Sequence, residues 1–153
     1  MSFQYYTSFK GSKQGQFNGD TKNTKRKDKW IEVLAFEMSS EVPVDQTGGG
    51  ITGRRTHAPI KITKEFGSSS PQLLDAYWKN EVLSEVVIEV VGSPKASGSE
   101  NVVQRITLTN ALIVDIRPHV GRAAIHRMAL SDLTFTFQKI EQELVDKLAT
   151  VFG

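Results

Sequence analysis

Ala58-Pro-Ile-Lys-Ile-Thr-Lys-Glu-Phe66, then Gly67-Ser-Ser-Ser-Pro-Gln-Leu-Leu-Asp-Ala-Tyr-Trp-Lys-Asn80, then Val82-Leu-Ser-Glu-Val-Val-Ile-Glu-Val-Val91 is the stretch that decides the fold. Its first piece alternates, with Ala58, Ile60 and Ile62 facing one way and Lys61 and Thr63 the other, as a half-buried strand does. Its middle predicts a helix over about 70–80. Ser70 is a suitable N-cap and Pro71 suits the first turn. Leu73, Leu74, Tyr77 and Trp78 make an apolar stripe expected to pack on a sheet, and Asn80 is a plausible stop. The third piece alternates again, Val86, Ile88 and Val90 against Glu85 and Glu89. One helix therefore interrupts a run of strands.

The rest of the chain reads as β. Phe3 to Phe9 predicts a first strand with Phe3, Tyr5 and Thr7 on one face. Trp30 to Met38 predicts the next, apolar on both faces, as in strands buried on two sides or at a subunit contact. Val102, Ile106, Leu108, Leu112, Val114 and Ile116 share one parity against Arg105, Thr107, Thr109, Asp115 and Arg117. That run is long for one strand, so a bend or bulge is expected near Asn110. Leu133, Phe135 and Phe137 mark a final strand. From Glu141 onward Leu144, Val145, Leu148, Val151 and Phe152 have helical spacing, with acids first and Lys147 later, which predicts a short C-terminal helix within the tail 141–153. Long polar connections are expected at 11–29, 41–55 and 92–99. The fold class is mainly β: a two-sheet antiparallel barrel or sandwich with one flanking helix, in a single domain spanning 1–153.

Composition narrows the function. The chain has 153 residues, 39% apolar and 24% charged, with a formal charge of +2, too small to argue for nucleic acid or an anionic membrane. It has no cysteine, so disulfides and thiolate metal sites are out. No apolar run is long enough to span a bilayer, and Met1 to Tyr6 does not begin like a secretory signal.

No residue pattern points to catalysis, a metal or a cofactor. His57, His119 and His126 lack ligand spacing to one another or to carboxylates. Gly48-Gly49-Gly50-Ile-Thr-Gly53-Arg54-Arg55 lacks the Gly-Lys-Ser/Thr ending of a phosphate loop and does not join a strand to a helix. It reads better as an inter-subunit arm, because glycine frees the backbone path and arginine makes planar two-point contacts with carboxylates. The basic loop at Lys25, Arg26, Lys27 and Lys29 reads as a solvated surface, without the interleaved aromatics of a single-strand binder. Trp30, Val33, Phe36, Gly48, Gly49, Gly50, Arg54 and Arg55 are the candidate interface residues.

In this order the parts resemble the Hcp family, the tube protein of bacterial type VI secretion systems. The resemblance covers roughly 3–140. It rests on the aromatic first strand, Trp30 to Met38, the glycine-rich Gly48 to Gly53, Ile60-Lys-Ile-Thr-Lys-Glu-Phe66, Ser69-Ser-Pro-Gln-Leu-Leu74, Val86-Val-Ile-Glu-Val-Val91, Ile106-Thr-Leu-Thr-Asn-Ala111 and Leu133-Thr-Phe-Thr-Phe-Gln-Lys-Ile140. It implies a homohexameric ring, rings stacked into a hollow tube, partners among spike and sheath components, effector proteins carried in the lumen, and cytoplasmic assembly followed by secretion without a signal peptide. In the family the extended loop, here 43–55, reaches a neighbouring subunit or ring. The basic 22–29 loop and the helical tail depart from the pattern. A phage-type tail tube protein shares the architecture, and a monomeric ligand-binding barrel is the reading from another class.

Overall fold

The strand that would be too long for one sheet is the hinge of the molecule. β9 runs from Asn101 to Ala123. Asn110 lies in the left-handed region, φ 52°, a conformation Asn tolerates better than most residues. Before it β9 pairs with β8 (Leu83–Gly92) and beyond it with β10 (His126–Thr136). A bulge follows where Phe135 pairs Ile113 and Thr134 pairs Asp115, leaving Val114 out of register. The expected irregularity is thus a turned residue plus a bulge. It also corrects the parity reading: Ala111 and Ile113 are buried, whereas Val114 is exposed, because the turn at Asn110 exchanges the two faces.

The computed structural model describes residues 3–21, 29–38, 40–41, 56–57, 59–92, 101–123 and 126–144. Nine of its eleven described strands form one antiparallel sheet in the order β2-β1-β8-β9-β10-β7-β4, with β11 on β9 and β3 on β1. Here β1 is Phe3–Gly11, β2 Gly15–Gln16, β3 Ile31–Val33, β4 Ala35–Glu37, β7 Ile60–Glu65 and β11 Lys139–Leu144. The sheet folds over at β9, so its two wings face each other across one core. Phe9 of β1 stacks on Phe135 of β10 at 5.5 Å between centroids, and Ile31, Ile62, Val86, Ile88, Leu108 and Leu133 join the same cluster. The mainly β class with one helix holds.

Three local expectations change. Trp30–Met38 is two short strands: β3 pairs with β1 in one wing and β4 with β7 in the other. Leu34 sits at the crossing, its N–H donating to Thr63 O at 2.8 Å. The segment looked apolar on both faces because it changes sheets. Residues 139–144 are strand β11, paired with β9 from Lys139–Thr109 to Leu144–Gln104, so cross-strand partners override the helical spacing at Glu141–Leu144. The remainder of the predicted C-terminal helix lies outside the described residues. Finally, the 11–29 connection is not all surface. β2 returns along β1, and Phe17 enters the core.

The helix α1, Ser70–Trp78, has Pro71 in its first turn, but its N-cap is Ser69 and not Ser70, which is already the first helical residue and whose Oγ accepts from Gly67 N–H at 3.1 Å. Asn80, φ 52°, closes it: Asn80 N–H donates to Tyr77 O and Glu81 N–H to Ala76 O at 2.9 Å. These two bonds satisfy carbonyls of the last turn. β5 (Ser40–Glu41) and β6 (Thr56–His57) pair with each other and not with the main sheet.

Candidate assembly surfaces

Three features of the described surface could hold another macromolecule. The first is an open sheet edge. β10 continues into β11 along one side of β9, with Gln138 N–H donating to Thr109 O at 3.1 Å where the two join. On the other side β8 stops at Leu83–Ala111. Residues 112–123 of β9 have no strand on that side among the described residues. Unpaired N–H and C=O groups on such an edge favour strand pairing with another chain. Pro118 sits in this strand, a residue that edge strands accommodate because it cannot donate to a ladder.

The second is a polar hollow of about 400 Å³ on the outward face of β4, β7, β10 and β9, lined by Glu37, Lys61, Thr63, Asp115, Arg117, Asp132 and Thr134 with Ala35 and Phe36. Asp132 is its most constrained group. It accepts from Thr63 Oγ1 at 2.7 Å and lies 3.1 Å from His119 Nε2. The Thr63 hydrogen bond, opposed by partial burial and helped by His119 and Arg117, holds its carboxyl below the usual aspartate range. Arg117 Nε is 2.7 Å from Asp115 Oδ2. Among the described residues no group of three His, Cys, Asp or Glu is placed to hold a metal ion, and no helix is long and apolar enough to cross a membrane.

The third is the flank of α1. The sequence assigned Leu73, Leu74, Tyr77 and Trp78 to core packing. Leu73 and Ala76 are buried and Tyr77 packs against the core, but Leu74 and Trp78 are 46% and 73% exposed. At roughly 100° per residue the four apolar positions span an arc wider than one sheet face covers. The exposed pair continues a ridge with Phe66, 64% exposed.

The candidate interface residues fall apart by environment. Val33 is spent in the chain's own core. Phe36 is half-buried, stacked on Tyr5 at 5.7 Å, and lines the polar hollow. Lys29 Nζ lies 5.4 Å from the Trp30 ring centre, whose carbonyl accepts from Asp20 and Thr21 N–H. Gly48, Gly49, Gly50, Arg54, Arg55, Lys25, Arg26 and Lys27 lie outside the described residues. Sequence reading missed the Phe66–Leu74–Trp78 ridge and Lys64. Parity with Ile60 and Ile62 already placed Lys64 inward.

Comparison with known proteins agrees with this architecture. The family model "Type VI secretion system effector, Hcp" matches residues 6–144. The "Major exported protein" of Pseudomonas aeruginosa strain PAO1 is 31% identical over 153 residues, covering 92% of this chain and 88% of that protein. The solved structure of the Hcp1 protein from E. coli EAEC 042 superposes with a TM-score of 0.82 at 26% identity, covering 95% and 93% of the two chains. The secreted protein Hcp3 from Pseudomonas aeruginosa superposes with a TM-score of 0.73 at 27% identity, covering 94% and 91%. The matched family is one of structural tube proteins rather than enzymes. From the order of its strands, the helix between β7 and β8 and these matches, the chain belongs to the Hcp family of type VI secretion proteins.

Proposed function

We propose that this chain is the ring-forming subunit of a type VI secretion inner tube. Six copies close into a ring, rings stack into a hollow tube alongside spike and sheath components, and effector proteins travel in the lumen. Assembly takes place in the cytoplasm, and the tube then leaves the cell by the secretion machine itself. The observation that carries this reading is the open edge of β9 over residues 112–123. An edge of that length in a lone protomer invites uncontrolled pairing, and closing a ring removes it. Family membership supplies the context, and the exported P. aeruginosa relative supports export.

Size-exclusion chromatography with light scattering on the purified full chain tests the proposal, with negative-stain images of the same sample. The expected result is a mass of six chains and a six-fold annulus. A single 17.0 kDa species at high concentration would overturn it in favour of a monomeric binding barrel.

A further inference from the structure

Asn18-Gly19 is the one Asn-Gly pair in the chain, and the fold leaves its reactive groups free. Residues 17–20 belong to no strand or helix, with Asn18 exposed and Gly19 half-buried. The backbone here is anchored on both sides. Phe17 N–H donates to Phe9 O at 2.9 Å and Asp20 N–H to Trp30 O at 3.1 Å. Asn18 N–H donates to Gln72 Oε1 at 2.8 Å, and Gly19 O accepts from Ser68 Oγ at 2.9 Å. Two groups are left over. The Asn18 carboxamide and the Gly19 N–H have no hydrogen-bond partner among the described residues.

These two groups can react with each other, with water as the only other reagent. Hydroxide takes the Gly19 amide proton, and the nitrogen attacks Asn18 Cγ. The N–Cγ bond forms, the Cγ–Nδ2 bond breaks, and Nδ2 leaves as ammonia with a proton from water, which returns the hydroxide. The product is a cyclic imide, and nothing is oxidised or reduced. Water then opens the ring. Opening at Cγ gives aspartate; opening at the Asn18 backbone carbonyl gives isoaspartate, whose main chain runs through the former side chain. Glycine favours closure because it has no Cβ to crowd the ring. Asn80 and Asn110 are followed instead by Glu81 and Ala111, and the Asn110 amide is held by Gln138 Oε1 at 3.0 Å.

The position gives the change a consequence. The next residue, Asp20, lies 3.2 Å from the buried Lys64 ammonium and accepts from Ser69 Oγ at 2.9 Å. Isoaspartate adds one methylene, about 1.5 Å, to the main chain between the anchored Phe17 and Asp20. We propose that Asn18-Gly19 is a site of spontaneous isoaspartate formation, and that the longer main chain there pulls Asp20 away from Lys64.

The purified full chain is aged at mildly alkaline pH beside a synthetic peptide of residues 16–21. Peptide mapping with electron-transfer fragmentation separates aspartate from isoaspartate at position 18. The expected result is conversion within about tenfold of the peptide's rate, as an unprotected segment allows, with isoaspartate the main product. Slower conversion overturns the site. Calorimetry on the same samples reads the link to Asp20. The aged protein should contain a second population, in proportion to its isoaspartate, melting at least about 4 °C below the fresh protein. Asn18→Asp has the charge without the added methylene and should melt with the fresh protein. Asn18→Gln, whose ring would be larger and slower to close, should keep its melting point through ageing. Aged protein that melts like fresh, Asn18→Asp that melts as low as the aged population, or Asn18→Gln that ages alike overturns the link.

Discussion

Lys64 Nζ lies 3.2 Å from Asp20 Oδ2, with the Lys64 side chain entirely out of solvent. The ammonium also donates to Glu65 O at 2.7 Å and Ser70 Oγ at 3.2 Å, and Ser69 Oγ donates to Asp20 Oδ2 at 2.9 Å. One buried ion pair thus ties β7, the start of α1 and the chain before residue 22 together. Gly67 is part of the device: a Cβ there would come within 2.5 Å of Asp20 Oδ2, so no larger side chain fits without moving the carboxylate.

Removing one partner of this pair leaves an uncompensated buried charge, whereas removing both does not. Asp20→Ala is expected to cost about 3–5 kcal/mol, lowering the thermal midpoint by roughly 6–20 °C. Asp20→Ala combined with Lys64→Met should recover most of that loss. Calorimetry on both variants checks this; equal destabilisation of the two would show that the charge pairing is not the cause.

Acid should weaken the fold through two carboxylates. Burial pushes Glu81 upward, but the backbone N–H groups of Gln14 and Lys13, at 2.9 and 3.1 Å, and the Gln14 side-chain amide outweigh it, and the net shift is downward. Asp132 is shifted downward as well. A carboxyl whose folded value lies below its unfolded value contributes stability above the unfolded value, and that contribution is lost as pH falls through the folded one. Denaturant midpoints should therefore be flat near neutrality and fall below about pH 4. Glu81→Gln should lower stability at neutral pH by about 1–3 kcal/mol and flatten the acid slope. An unchanged slope in this variant would remove Glu81 from the account.

Asn80 and Asn110 share φ 52°, one ending α1 and one turning β9 between wings. Asn110 Nδ2 also donates to Gln138 Oε1 at 3.0 Å. Asn80→Gly should be neutral or slightly stabilising. Asn110→Val should cost about 1–3 kcal/mol, because a β-branched residue resists that backbone. Equilibrium unfolding of the two variants tests the contrast; a harmless Asn110→Val would mean β9 bends without the left-handed residue.

Thr7 Oγ1 is buried with no hydrogen-bond partner among the described residues, on the strand face that carries Tyr5 and Phe9 toward the core. Thr7→Val keeps the shape and removes an unsatisfied hydroxyl. It should raise stability by about 1 kcal/mol, a gain of roughly 2–4 °C. A loss on thermal unfolding would reveal a polar partner for the hydroxyl.

Alternation and helix signals in the sequence determined the element types: β7, α1 and β8 in that order, the interruption of β9 near Asn110, and the stop at Asn80. Local backbone preference and period-two burial suffice for those. The tertiary structure alone decided where strands change sheets. Trp30–Met38 splits at Leu34 because its two ends find partners in different wings, and Lys139–Leu144 is a strand because β9 offers it a ladder. Neither partner is near in sequence. The same holds for the surface by α1: apolar content in Leu74 and Trp78 was plain to read, but only the position of the sheet beneath the helix settled which apolar side chains it covers and which it leaves exposed.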